Sequence, residues 1–163
     1  QDLAGQSDRY RAIRTTFNAI VSTVINQGAN LYLSLNKHGN PEFHADLVDD
    51  RGRSTSGGDG HTYGRLLCIA FDLAVQLAYR TDAFPHFVYH DGLLETLDNR
   101  KKLNLIDQVR TLGEQGIQHI VTMIDSELPQ LPEGTTFQFE EEEIALLLHD
   151  EDESGRLFRM PTW

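Results

Sequence analysis

The stretch HFVYHDGLLETLDNRKKLNLIDQVRTLGEQGIQHIVTMI, residues 86–124, decides the fold. HFVYHD reads as a short apolar strand that ends in a carboxylate, Asp91. LDNRKKLNLIDQVRTLGEQG reads as an amphipathic helix, with Asp98 as its N-cap and Gly116 just past its end. IQHIVTMI, rich in β-branched residues, reads as a second buried strand. Strand, helix, strand implies a parallel βαβ unit with a right-handed crossover. Asp91 then stands at the C-terminal edge of a parallel strand, where open α/β sheets place their ligands. In nucleotide enzymes an Asp at such an edge holds Mg2+ directly or through water.

Upstream lies GRSTSGGDGHTYGRLLCIAFDLAVQLAY, residues 52–79. Its first half is Gly, Ser and Asp, and its second half is a helix pattern from about Gly60 to Tyr79. Leu66, Leu67, Ile69, Ala70, Leu73, Ala74, Leu77 and Ala78 cover most of the helix circumference, which predicts near-complete burial. Cys68, on that helix, is assigned to the core. A Gly-rich loop running into a helix N-terminus suits an anion: Ser56-Gly57-Gly58 let backbone N–H groups approach without a Cβ, and Ser56 adds a hydroxyl. The same sequence also serves as a plain helix cap.

Before the loop, Tyr10, Ile13, Phe17, Ile20 and Val24 recur at alternating spacings of three and four, with Val21 and Ile25 widening the stripe. This fits either the seam of a coiled coil or an amphipathic core helix. Gln27-Gly28 supplies its stop. Two alternating stretches around His38-Gly39-Asn40-Pro41 predict a hairpin with Leu31, Leu33 and Leu35 on one face and Phe43, Ala45 and Leu47 repeating the pattern. TFQFE, EIALLLHD and GRLFRM read as closing strands with acidic turns. The whole is a mixed α/β fold.

The chain has 163 residues, 39% of them hydrophobic and 24% charged, which fits one globular domain. A single cysteine excludes an internal disulfide and points to a reducing, cytoplasmic setting. No leader pattern is present, and the most apolar segment is broken by Arg65, Asp72 and Gln76, so no membrane span is expected. The formal net charge is −11, with only Lys37, Lys101 and Lys102 as lysines and acid massed at Glu140–Glu143 and Asp150–Glu153. Such a surface is a poor match for direct contact with nucleic acid.

A Ser-Gly-Gly loop, a buried helix, a strand ending in Asp, a helix opened by Leu97-Asp98, then the strand HIVTMI form an ordered set. Through TYGRLLCIAFDLAV, FPHFVYHDGLLETLDNRKK and HIVTMIDSELP the chain resembles the C-terminal lobe of SMC/RecN-like, ABC-type coiled-coil ATPase heads. More narrowly it resembles the YydD-like bacterial proteins that end in a domain of unknown function. The resemblance implies residues 1–27 as the end of a coiled coil and 28–163 as the head lobe. It implies Ser56, Gly57 and Gly58 as the signature loop that meets the γ-phosphate held by a second head. Asp91 would be the Walker B carboxylate for Mg2+, and Leu97 and Asp98 the D-loop. The implied cofactors are ATP and Mg2+ in the complete head. The implied partners are an N-terminal lobe with the Walker A loop, a second head in a homodimer, and DNA through the assembly.

Four departures stand against the pattern. No Gly-Lys pair occurs, so nothing fits the phosphate loop G-x-x-x-x-G-K-[ST]. Gly92 follows Asp91 where a general-base Glu is usual, and Glu95, three residues on, reaches that place only if the chain turns back. Met123 and Ile124 stand where a switch histidine is usual, and Asp59 replaces a Gln. Lost turnover would leave a non-enzymatic dimerisation module. A third reading, a metal-dependent phosphohydrolase, rests on His86, His90 and Asp91, with His-Asp again at 149–150. On a strand, however, residues i and i+4 project roughly 13 Å apart. His61 and His119 are expected in loops or on the surface.

Overall fold

The computed structural model describes residues 3–55 and 61–158. Two compact units divide the chain, residues 1–129 and residues 130–163.

The first unit begins with α1 (Leu3–Ile25), whose apolar stripe is buried from Ile13 onward through Phe17, Ile20, Val21, Val24 and Ile25. The stripe packs against α2 (His61–Ala78) and α3 (Asn99–Gly113), so this part of the helix is core. The helix ends at Ile25, two residues before Gln27 of the expected Gln-Gly stop. Asn26 takes a left-handed φ of 57° and donates its N–H to the Ser22 carbonyl at 2.9 Å, a conformation that Asn tolerates because its short polar side chain bonds locally.

β1 (Ala29–Leu35) and β2 (Pro41–Val48) form the expected antiparallel hairpin, extended by the short β3 (Ser54–Thr55). The register sets Leu31 opposite Ala45 and Leu33 opposite Phe43, so one face is apolar throughout. Only its inner end is covered: Leu31 and Leu47 are buried, while Leu33, Leu35 and Phe43 are exposed.

β4 (Phe87–Asp91) and β5 (Gln118–Thr122) pair in parallel, joined by α3. Asp98 caps α3, its Oδ1 accepting the Lys101 backbone N–H at 3.0 Å. The antiparallel and parallel strands occupy two separate sheets, and the fold is mixed α/β, with the parallel βαβ unit at residues 87–122. No helix among the described residues is long and apolar enough to cross a membrane.

Alternation gives β4 two unlike faces. Val88 and His90 are buried, while Phe87, Tyr89 and Asp91 are exposed. His90 Nε2 lies 3.3 Å from Asp72 Oδ2 of α2. The α2 helix is buried along Leu66, Leu67, Ile69, Ala70, Leu73 and Ala74, and this leaves Cys68 outside, on the same exposed face as Asp72 four residues on. The assignment of Cys68 to the core is therefore corrected: the apolar stripe is wide but does not close the circumference.

His119 is a second correction. It is no surface residue but a half-buried member of β5, and neither ring nitrogen has a hydrogen-bond partner among the described residues. Burial, reinforced by the nearby His90, pushes its imidazole down to about 4.

The second unit corrects a third expectation. TFQFE, EIALLLHD and the described part of GRLFRM form no strands. An isolated bridge between Gln130 and Thr136 closes a turn at Gly134. Beyond it, short 3-10 turns at Glu141–Glu143 and Glu153–Gly155 follow. Their backbone donors are met locally: Glu143 accepts the Glu140 N–H at 2.9 Å, and Asp152 accepts the Ser154 N–H at 2.7 Å. A strand needs a ladder partner for those groups, and acidic caps supply an alternative. Leu146, Leu147, Leu148, Leu157 and Phe158 stay exposed.

Two outcomes follow for the first unit. Phe17 is fully buried, so Phe17→Ala should lower the unfolding free energy by about 3–5 kcal/mol in denaturant titration. Because His119 titrates near its ordinary value only when unfolded, the fold favours the neutral ring. Its contribution is complete above about pH 6.5 and is lost as pH falls toward the folded value of about 4. The denaturation midpoint should therefore drop across that window, and His119→Leu should flatten the drop.

Candidate functional site

The parallel register places Asp91 beside Thr122, the last residues of β4 and β5. Both carboxylate and hydroxyl thus leave the sheet at the same C-terminal edge. Thr122 Oγ1 donates to Asp91 Oδ1, and among the described residues no donor meets Oδ2. The pairing runs one step further, Gly92 N–H donating to the Thr122 carbonyl at 3.0 Å.

Beyond this edge the chain reverses. Gly92 has φ +61° and Thr96 φ +66°, so left-handed residues bracket the turn. For Thr96, a β-branched residue, this conformation is strained, and such strain gathers at functional sites. Glu95 N–H donates to the Gly92 carbonyl at 3.2 Å within the turn. The Glu95 side chain consequently folds over Gly92. A Cβ at position 92 would fall on the Glu95 carboxylate, Oε1 being nearest. The reversal needed to bring Glu95 back to the residue after Asp91 is therefore present.

Arg65 of α2 fastens this turn. Its Nη1 pairs with Glu95 Oε2, and its Nη2 donates to the carbonyls of Asp91 at 2.7 Å and Gly92 at 3.0 Å. An open cleft of about 180 Å3 lies alongside, lined by Asp91, Glu95, Thr122, Met123, Ile124 and Glu127, among others. Glu127 of this lining is held by Lys102, buried to 8% exposure, which donates from Nζ to the Glu127 carbonyl at 2.6 Å and to Glu127 Oε2 at 3.0 Å.

Asp98 serves α3. Besides the cap, its Oδ2 lies 2.8 Å from Lys101 Nζ, and that ammonium also reaches the Tyr63 hydroxyl at 3.0 Å. Lys101 holds the Asp98 carboxyl below the usual carboxylate range, while Asp98 and then Tyr63 hold the Lys101 ammonium above its ordinary value. Leu97 is buried.

The structure thus gathers Asp91 and Glu95 at one cleft. Ser56, Gly57, Gly58 and Asp59 lie outside the described residues. His90 and Asp91 leave β4 on opposite faces, and His86 precedes the strand. Among the described residues no group of three His, Cys, Asp or Glu side chains is placed to hold a metal.

Sequence reasoning missed Arg65, Thr122 and Lys102. Each had a signal. Arg65 is one of two charges interrupting the apolar helix; Thr122 ends the second strand level with Asp91; Lys102 falls in the apolar stripe of α3 with Leu105 and Ile106.

Residues 20–162 match DUF2326, described as an uncharacterised protein conserved in bacteria, and the chain belongs to that family. No curated protein matches it. Several solved structures are similar. One comes from structural work on ATP-driven dimerization and DNA-stimulated activation of SMC ATPases. It is 22% identical, the match covering 72% of this chain and 70% of that one, with a TM-score of 0.49. A second is an Smc head bound to the C-winged helix domain of ScpA, 23% identical over 72% of this chain and 36% of that one, TM-score 0.48. A third is an Smc head with an extended coiled coil bound to the C-terminal domain of ScpA, derived from Pyrococcus furiosus. It is 19% identical over 72% of this chain and 29% of that one, TM-score 0.48. The chain thus spans about a third of the length of the latter two.

The two kinds of glycine constraint are separable by experiment. Gly39 has φ +78° with open space where a Cβ would project, whereas at Gly92 a Cβ would meet Glu95. Gly39→Ala should cost only backbone strain, about 1–2 kcal/mol. Gly92→Ala should cost a similar amount in melting temperature, because the half-exposed Glu95 side chain can swing aside, but unlike Gly39→Ala it should displace the Glu95 carboxylate, read as a shift in the Glu95 side-chain NMR signals.

Proposed function

We propose that this chain is the C-terminal lobe of an SMC-like ATPase head, and that it completes an ATP site in trans. The observation that carries the reading is the Asp91 carboxylate at the C-terminal edge of a parallel strand pair, beside the Thr122 hydroxyl and opening on a cleft. Ligands of open α/β sheets bind at that edge. The donor set fits a hard divalent cation: one Asp91 carboxylate oxygen meets no donor among the described residues, and the neighbouring ligand atoms are oxygens. Mg2+ bound there would neutralise phosphate charge.

Asp91 is then the metal-binding carboxylate. Glu95 is the general base: it takes the proton of the attacking water as the water oxygen bonds to the γ-phosphorus and the bond to the ADP oxygen breaks. Ser56, Gly57 and Gly58 are assigned to the γ-phosphate of the facing head, with Asp98 at the junction between heads. The phosphate-cradling Gly-Lys loop is assigned to an N-terminal lobe, α1 to the end of a coiled coil, and DNA contact to the assembly as a whole. The narrower kinship with YydD-like proteins belongs to this proposal too.

Calorimetric titration with Mg·ATP tests it. The chain alone should give no binding heat; addition of the lobe with the Gly-Lys loop should produce binding, and Asp91→Asn should weaken it at least tenfold in the presence of Mg2+ but little without it. Tight binding by the chain alone would overturn the half-site assignment. Binding indifferent to Asp91→Asn would favour a dimerisation module without turnover.

A further inference from the structure

We infer that Arg65 is a positioning residue for the Glu95 carboxylate, so that Gly92 and Glu95 act together as one acidic position next to Asp91. The inference rests on the ATPase-head reading above, and extends it to a residue of α2.

The two oxygens of Glu95 are divided between tasks. Oε2 is taken by Arg65 Nη1. Oε1 is the atom nearest to where a side chain at position 92 would begin. A glutamate side chain has three rotatable bonds, and a half-exposed one has no reason to settle over a glycine unless something holds it. Arg65 does so with a planar fork whose other arm grips the Asp91 and Gly92 carbonyls at 2.7 and 3.0 Å. Carboxylate, turn and strand end are thereby fixed to one guanidinium. Lysine, a single point charge, cannot make all three contacts.

A stabilising role does not account for the arrangement. Arg65 and Glu95 are both partly solvent-exposed, and ion pairs of that kind add little to stability. The gap at Gly92 is the complementary half: with a left-handed φ and no Cβ, it leaves the space that Glu95 fills.

The test is a double-mutant cycle on ATP turnover in the assembled head, with the Gly-Lys lobe present. Arg65→Met should lower kcat by about tenfold or more, the scale of a displaced general base, with KM changed less than about twofold and the melting temperature nearly unchanged. Glu95→Gln should lower kcat by at least as much. In the Glu95→Gln background, Arg65→Met should have no further effect, since both changes remove one function. Arg65→Lys, a gentler change should the Met variant fold poorly, should show a smaller loss and the same lack of additivity. Additive losses, or a loss confined to KM, would overturn the positioning role while leaving the ATPase reading intact. Absence of turnover in the wild-type head would overturn that reading, and this inference with it.

Discussion

The in-register parallel pairing of β4 and β5 is the constraint on which the rest depends. It ends the two strands level, so that Asp91 and Thr122 emerge side by side. Its last hydrogen bond, from Gly92 N–H to the Thr122 carbonyl, fixes where the chain leaves the sheet. A slip of one residue would turn Asp91 inward and His90 outward, because alternate residues face opposite ways. A buried, unpaired carboxylate would replace a buried imidazole, at considerable cost. Burial of Val88 and His90 against α2 thus protects the exposure of Asp91.

What α2 contributes is more than a covering layer. Its apolar stripe packs on α1, while its charged residues reach the parallel pair at two points. Asp72, at the margin of the open face of α2, meets the buried His90, and Arg65 meets Asp91, Gly92 and Glu95 at the edge. Lys101 adds a third tie, from α3 to Tyr63 in the first turn of α2. The first turns of α2 are therefore bonded to the strand end and to the α3 cap.

Much of this was legible in the sequence where local and tertiary preferences agree. The βαβ unit, the hairpin and the α3 cap at Asp98 each combined periodicity with the right punctuation. The C-terminal segment was not legible. TFQFE and EIALLLHD alternate or cluster apolar residues as strands do, but periodicity carries no information on whether a ladder partner exists, and acidic caps satisfied the backbone instead. Cys68 failed for a different reason. A helix with apolar residues at nearly every turn looks closed around its whole circumference, yet Cys68 and Asp72 mark an open face. The site itself was half legible: Asp91 was placed by its position at a strand end, while the reversal that brings Glu95 over Gly92 depends on two left-handed residues, one of them a threonine, which no pattern announces.

The central claim is that each ATP site draws its parts from two heads, and complementation between defective heads addresses it directly. Heads carrying Ser56→Arg and heads carrying Asp91→Asn should each be inactive in the assembled protein. Mixed in equal amounts, they form dimers in which one site pairs an intact Asp91 with an intact Ser56, so turnover should return to roughly a quarter of the wild-type rate. No recovery on mixing, with mixed dimers shown to form, would mean that Ser56 and Asp91 serve the same head, and would contradict the account.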